Sequence, residues 1–331
     1  MSIGQQEPAI LSENGKPFND WLRAELQEYK ERHQLSMGDL AQELGRSSTQ
    51  VSKYLSGKAE GDVERFEALV DDVLRNDMKR IETRAKLKPC MVASKVNAFC
   101  ETVRKRNDVG LLHGDAGLGK TSGGQLYAAI NPTAVFFTVK RFHVSSQHMI
   151  NLLWDKLKPD HQKWTNTRWD FVIEKLRGSN RLLIFDNCHK LTRCGIDMIF
   201  DIHDETEVPI ALIGNKEILE RVKLSEQNYS RIGYVKELKL EHPRGQKMSD
   251  AKELAEIVME QYAPEAADEL QGLAIQVLEQ AGHGRALRKQ LLLAADIREN
   301  THNKLSWTEA FRAAHTRLIR NYELPVEKGA K

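Results

Sequence analysis

The segment Gly114-Asp-Ala-Gly-Leu-Gly-Lys-Thr121 matches the pattern G-x-x-x-x-G-K-[ST] and lies between an apolar run and a helix-like stretch. Glycines in such a turn let the backbone wrap around phosphates, the lysine reaches the outer phosphates, and the threonine hydroxyl ligates Mg²⁺. The sequence therefore predicts a site for ATP and Mg²⁺, with Lys120 and Thr121 in these two roles. The residues expected to contact the nucleotide are Gly114, Asp115, Ala116, Gly117, Leu118, Gly119, Lys120, Thr121 and Ser122.

Apolar runs and amphipathic stretches alternate on both sides of this loop. Such runs are typical of buried strands in a parallel sheet that is covered by helices on both faces. The sequence therefore predicts an α/β core around the phosphate-binding loop. Its expected strands span residues 109–112, 134–139, 181–185, 210–213 and 234–238.

A second chemical signature is the apolar strand Leu182-Leu-Ile-Phe-Asp-Asn187, which ends in a carboxylate and an amide. Asp186 is expected to provide a second contact to Mg²⁺. Asn187 can position a water molecule but cannot act as a general base, so we expect slow or absent hydrolysis of ATP. Other residues that follow this strand are alternatives for the base, namely His189, Asp201, Asp204 and Glu205.

The part of the chain before the core shows helical periodicity and contains two short helix-like stretches separated by Gly45. This pattern predicts a helix-turn-helix motif. Its apolar contacts are expected to come from Leu40, Ala41, Leu44, Val51 and Leu55. The exposed side chains are expected to bind DNA, and they are Ser48, Thr49, Gln50, Ser52 and Lys53, with Ser47 beside them. The alternative is a helical hairpin that makes protein contacts.

The length of 331 residues allows two or three domains. We expect a flexible leader at 1–17, an N-terminal all-α helix-turn-helix domain at 18–84, the nucleotide-binding core at 85–243 and a C-terminal helical bundle at 244–331. Four helices are expected in the bundle, at 249–262, 266–281, 285–300 and 307–321.

Composition excludes several classes of protein. Hydrophobic residues make up 40% and charged residues 29%, which is ordinary for a globular chain. No apolar run approaches the ~20 residues that span a membrane. The N-terminus is polar and does not read as a signal peptide, and the four cysteines lack zinc-site spacing, so we expect a cytoplasmic protein with reduced thiols.

The core motifs resemble those of the AAA+ superfamily. In that family the position of Asn187 is commonly Glu, and the strand ending in Gly214-Asn215 resembles the sensor 1 strand, whose polar residue contacts water or the γ-phosphate. The resemblance makes Arg231 an arginine finger directed at the nucleotide of a neighbouring subunit. Its alternative is a surface cation. In the sensor 2 region, Arg288 is preferred over Arg285 as a nucleotide contact.

The order of helix-turn-helix, AAA+ core and helical bundle resembles a narrower family, the Mu-type phage DNA transposition protein B. The resemblance implies an ATP-dependent activator that polymerises on double-stranded DNA with little sequence preference, in the cytoplasm of a bacterial host. It also implies delivery of that DNA to a DDE transposase.

Cations at the loop end of the core are candidates for contacts to DNA phosphates, or else form a solvated surface. They are Lys140, Arg141, Lys190 and Arg193, to which the basic final helix adds Arg312, Arg317 and Arg320. Two other functions remain open. One is a helicase-loader or replication-initiator ATPase, and the other is an ATP-controlled transcription regulator.

Overall fold

A computed structural model describes residues 19–59, 61–141, 145–157, 167–240, 249–279 and 282–322. The expected leader and the core–bundle boundary near Pro243 lie outside these ranges. The strands are β1 (Val109–Gly114), β2 (Ala134–Thr138), β3 (Leu182–Asp186), β4 (Ile210–Gly214) and β5 (Ile232–Leu238). They form one sheet in the order β2-β3-β4-β1-β5, and every recorded pairing is parallel. The predicted α/β fold is confirmed.

The helices before and within the core are α1 (Asp20–Arg32), α2 (Met37–Leu44), α3 (Ser48–Leu55), α4 (Val63–Lys86), α5 (Met91–Arg106), α6 (Lys120–Ile130), α7 (Ser146–Leu157), α8 (Arg168–Leu176), α9 (Arg193–Thr206), α10 (Lys216–Lys223) and α11 (Glu226–Ser230). The C-terminal helices are α12 (Asp250–Tyr262), α13 (Ala267–Leu278), α14 (His283–Asn300) and α15 (Trp307–Tyr322). No helix within the described ranges is long and apolar enough to cross a membrane.

Parallel register brings the chemically distinctive residues to one edge of the sheet. Thr138 pairs with Asp186, Asp186 with Ile213, and His113 with Gly214. The phosphate-binding loop, Asp186 and Asn215 therefore all follow the carboxyl ends of neighbouring strands. Strand β3 is shifted by one residue from the prediction, so that it begins at Leu182 and ends at Asp186. Strand β5 begins two residues earlier than predicted, at Ile232.

The N-terminal helices have a small apolar core of their own. Leu40, Ala41, Leu44 and Val51 are buried as predicted. The prediction for Leu55 is wrong in part, because Tyr54 is the fully buried residue and Leu55 only packs beside it. The Tyr54 ring lies 4.5 Å from that of Phe66 between centroids, so an aromatic contact with α4 replaces the expected aliphatic one.

Capping residues define the start of α2, the end of α2 and the start of α3. Ser36 and Ser47 begin the two helices with complete capping boxes. Gly45, at φ +62°, ends α2 in the left-handed conformation that glycine adopts without steric cost. Local sequence thus explains where α2 ends and where both helices begin.

The C-terminal helices form a second apolar cluster that docks on the core through α5 and α12. Lys95 Nζ lies 2.6 Å from Asp250 Oδ2, and the Asp250 side chain is completely buried. Lys88 pairs with Glu260 across the same junction, but both side chains are about half exposed. The two ion pairs therefore differ mainly in how far their carboxylates are removed from water.

We expect Lys95→Met to lower the free energy of unfolding by about 2–3 kcal/mol, because it leaves a buried carboxylate without its nearest ammonium. Lys88→Met should cost less than about 1 kcal/mol, because exposed ion pairs contribute little. Urea unfolding of both variants measures the difference. Equal destabilisation would mean that burial of Asp250 does not decide the strength of the contact.

Candidate nucleotide-binding site

The phosphate-binding loop joins β1 to the start of α6. Gly117 and Gly119 have φ values of +89° and +87°, a region that residues with a Cβ rarely adopt. The ammonium of Lys120 donates to the carbonyl oxygens of Gly114 and Asp115, at 2.8 and 2.6 Å. The lysine thus lies within the loop that its own backbone forms, where phosphate oxygens can replace those carbonyls.

The charge of Lys120 is sensitive to its surroundings. Burial lowers the pKa of Lys120 to about 8, the carboxylates of Asp186 and Asp115 oppose this shift, and the guanidinium of Arg285 adds to it. Negative phosphate oxygens would favour the charged ammonium. Binding of nucleotide is therefore coupled to protonation of this lysine.

The two predicted Mg²⁺ ligands are adjacent. The hydroxyl of Thr121 donates to Asp186 Oδ2 at 2.8 Å, and Asp186 is almost completely buried. Burial raises the pKa of the Asp186 carboxyl, while the hydrogen bond from Thr121 and the charge of Lys120 lower it. A hydroxyl and a carboxylate are oxygen ligands of the kind that Mg²⁺ takes together with nucleotide phosphates. These residues therefore fit the ion, and when bound it would neutralise phosphate charge.

Asn187 has the left-handed backbone conformation, with φ +62° and ψ +32°. Asparagine visits this region more readily than most residues, so the backbone here suits the amide and would strain a glutamate.

Of the alternatives for a general base, His189 alone lies near Asp186. Its Nδ1 is buried and has no hydrogen-bond partner among the described residues, and burial lowers its pKa, which favours the neutral imidazole. Asp201, Asp204 and Glu205 belong to the second half of α9. Because a helix rises ~1.5 Å per residue, they lie on the order of 12–18 Å beyond the start of α9 near the site. The structure therefore does not place these three carboxylates at the γ-phosphate position.

Asn215 follows β4, the strand between β1 and β3. Its Oδ1 accepts the Glu217 amide proton at 3.1 Å and caps α10. This hydrogen bond orients the side chain, and its amide group is a donor suited to a phosphate oxygen. The position between the loop strand and the Asp186 strand agrees with the sensor 1 interpretation.

The C-terminal bundle contacts the phosphate-binding loop directly. The Gly284 amide donates to the Gly117 carbonyl at 3.2 Å, and a Cβ on Gly117 would lie 2.0 Å from the Gly282 carbonyl oxygen. This junction also brings Arg285 close enough to Lys120 to influence its charge. Arg288 is one helical turn further along α14, with its guanidinium 5.0 Å from the Tyr262 ring centroid. Arg285 is therefore the arginine whose charge acts on Lys120, and the nucleotide contact of Arg288 stays a prediction.

Arg231 lies at the amino ends of the strands, whereas the phosphate-binding loop lies at their carboxyl ends. It immediately precedes β5, which runs parallel to β1, and a strand of six residues spans about 20 Å. Its guanidinium is 2.8 Å from Asp204 Oδ2 and 5.9 Å from the centroid of the Phe200 ring. Arg231 is therefore too distant to contact the nucleotide of its own chain.

The candidate DNA contacts fall in three places. The side chains proposed for the helix-turn-helix are all exposed, namely Ser47, Ser48, Thr49, Gln50, Ser52 and Lys53. Lys140 and Arg141 follow β2, and Lys190 and Arg193 follow β3, so these four lie at the same edge as the phosphate-binding loop. Arg312 and Arg317 are exposed on α15, and the side chain of Arg320 lies outside the described residues.

Sequence reasoning missed two features. One is the backbone contact between Gly117 and Gly282–Gly284, for which the two glycines on either side of His283 are the only sign in the sequence. The cavity between the N-terminal helices and the core, which contains Lys175 and Arg181, had no signal in the sequence, because its residues come from separate segments.

The fold is the AAA+ P-loop fold, and a family model described as "AAA domain" matches residues 103–222. The chain is 22% identical over 211 residues to the Mu-like prophage FluMu DNA transposition protein B of Haemophilus influenzae, covering 60% of this chain and 70% of that protein. The resemblance to Mu-type transposition protein B is confirmed.

Two solved structures are also similar to the chain. One is the Aeropyrum pernix ORC1 protein in complex with DNA, with a TM-score of 0.47 and 15% identity over 71% of this chain and 67% of that chain. The other is the Walker-type ATPase PABY2304 of Pyrococcus abyssi, with a TM-score of 0.47 and 14% identity over 69% of this chain and 73% of that chain.

The pKa of Lys120 predicts how pH affects nucleotide binding. Between about pH 7 and about pH 9 the dissociation constant of ATP should rise about tenfold, because the free protein loses the ammonium proton above its pKa. Lys120→Arg should show little change over this range, because arginine stays charged. Calorimetric titration at several pH values measures both. The same pH dependence in the two proteins would assign the effect to another group.

Proposed function

We propose that this protein binds ATP, assembles on double-stranded DNA with little sequence preference and delivers that DNA to a DDE transposase. The observation that carries the proposal is the position of Arg231 at the sheet edge opposite the phosphate-binding loop. A cation there cannot reach the nucleotide of its own chain but can contact that of a neighbouring subunit, which is the role of an arginine finger in trans. The name of the curated relative, DNA transposition protein B, supports DNA as the partner and transposition as the process.

ATP acts in this proposal as an assembly switch. The γ-phosphate of one subunit and Arg231 of the next contribute together to the interface, so loss of that phosphate weakens the contact. The pair between Arg231 and Asp204 does not prevent this, because both side chains are partly exposed, at 26% and 43%. Ion pairs at such exposure contribute about 0–1 kcal/mol, so a phosphate can replace Asp204 at small cost.

DNA binding is proposed for two surfaces of the chain. The exposed face of α3 presents hydroxyl, amide and ammonium groups, which suit base edges and phosphates. Lys140, Arg141, Lys190 and Arg193 add cations beside the nucleotide, where assembly can bring them together in successive subunits. Contacts of this kind are dominated by phosphate and are therefore sensitive to salt.

Negative-stain electron microscopy with non-specific duplex DNA tests the assembly. The wild-type protein should form filaments or rings on DNA with ATP and Mg²⁺ but not without ATP. Lys120→Ala should abolish assembly by weakening nucleotide binding, whereas Arg231→Ala should bind ATP normally and fail to assemble.

Asp204→Asn is the matched control for Arg231→Ala, because it breaks the same ion pair and leaves the guanidinium available. It should assemble at least as well as the wild type. Equal loss of assembly in both variants would show that the ion pair matters within one chain and would contradict a finger in trans. A wild-type protein that binds one operator without ATP-dependent assembly would favour a transcription regulator.

A carboxylate at position 187 should accelerate hydrolysis. Asn187→Asp provides a general base in a residue that tolerates the left-handed backbone, and Asn187→Glu provides a longer one at a cost of about 1–2 kcal/mol in backbone strain. Phosphate release with DNA should become faster, and assemblies should become shorter-lived, in at least one variant. Unchanged release in both, with normal ATP binding, would mean that another group such as His189 already serves.

A further inference from the structure

A cavity of about 640 Å³ separates the N-terminal helices from the AAA+ core. Helices α2 and α4 form one side of it, and α6, α7, α8 and β2 form the other. Six cationic and three carboxylate side chains line it, an excess of three positive charges. This cavity does not include the phosphate-binding loop, and only its possible contact with DNA rests on the function proposed above.

One of the three carboxylates in the cavity, that of Glu43, already has two partners. Glu43 accepts the hydroxyl proton of Tyr29 at 2.9 Å and lies 4.0 Å from the guanidinium of Arg80. Arg80 in turn donates to the Pro132 carbonyl oxygen at 2.9 Å. Glu43 therefore already has two partners, and its single charge also acts on Arg181 and Lys175.

Two cations in the cavity wall lack such partners. Among the described residues, neither the guanidinium of Arg181 nor the ammonium of Lys175 forms a hydrogen bond or an ion pair. Both side chains are only partly exposed. Burial lowers the pKa of Arg181 and of Lys175. The charge of Arg80 adds to this shift at Arg181, the charges of Arg181 and Arg46 add to it at Lys175, and Glu43 opposes it at both.

Six cations share three carboxylates in this cavity, and partly buried cations with incomplete counter-charge are unfavourable unless a further anion accompanies them. Guanidinium and ammonium groups that converge on one space match phosphate, which carries up to two charges and several acceptor oxygens. We propose that this cavity binds a phosphate group between Arg181, Lys175 and Arg80. Such a ligand would join the N-terminal helices to the core, because Arg80 belongs to α4 and the other two belong to the core.

The phosphate can come from two sources. The turn between α2 and α3 lies against this wall. A Cβ on Gly45 would be 2.9 Å from Lys175 Nζ, and the side-chain amide of Gln42 donates to the Gly178 carbonyl oxygen at 3.0 Å. A backbone phosphate of DNA bound at α3 is therefore one source. The other is a free polyphosphate or nucleotide, for which the cavity has sufficient volume.

Calorimetric titration with inorganic pyrophosphate tests the site in the full chain, with the phosphate-binding loop saturated by ADP in metal-free buffer. Arg181→Gln should weaken pyrophosphate binding by about tenfold or more, because it removes charge-assisted hydrogen bonds. Arg181→Lys should retain part of the affinity. Arg75→Gln is the matched control, because Arg75 lines the same cavity but is exposed and paired with Asp71 at 2.6 Å.

Folding is checked by thermal unfolding without pyrophosphate, where Arg181→Gln should be at least as stable as the wild type. Absence of pyrophosphate binding in the wild type, or equal binding by Arg181→Gln, would overturn the proposal. The source is identified by the salt dependence of duplex DNA binding. A DNA phosphate predicts that Arg181→Gln reduces the salt slope by about one, whereas a free anion leaves the slope unchanged.

Discussion

The close approach of the Gly117 and Gly282 backbones is the constraint on which the nucleotide site depends. No side chain fits between them, and the Gly284 amide completes the contact by donating to the Gly117 carbonyl. The phosphate-binding loop is thus shaped on one side by the sheet and on the other by the start of α14. The same junction brings Arg285 toward Lys120, so the bundle contributes charge as well as shape.

The distribution of charge separates two kinds of phosphate site. In the nucleotide loop, Lys120 is accompanied by backbone carbonyls and by the carboxylates of Asp186 and Asp115, and a ligand exchanges one set of partners for another. In the cavity between the N-terminal helices and the core, Lys175 and Arg181 have no hydrogen bond or ion pair among the described residues and share the charge of Glu43. The first arrangement favours reversible exchange, while the second favours retention of an anion.

Much of the fold and of the nucleotide site could be predicted because the signals are local. The glycine loop, the strand ending in Asp186 and the serine caps of α2 and α3 each depend on a few consecutive residues. Tyr54 was missed because the aromatic ring is buried against α4, which the two-helix pattern does not reveal. The choice between Arg285 and Arg288 depends on where α14 begins beside Gly117. The cavity had no local signal, because Lys175 and Arg181 come close to Glu43 and Arg80 only after folding.

Parallel strands give this protein two chemically different ends. The phosphate-binding loop follows the carboxyl end of β1, and Arg231 precedes the amino end of β5. Any contact that joins these two ends is heterologous and leaves the same unmatched ends on the growing assembly. If the assembly stays open instead of closing into a ring, it is polar and its two tips differ: one presents an open nucleotide site and the other an unused arginine. A partner that recognises only one of these tips could therefore distinguish the direction in which the assembly lies along DNA.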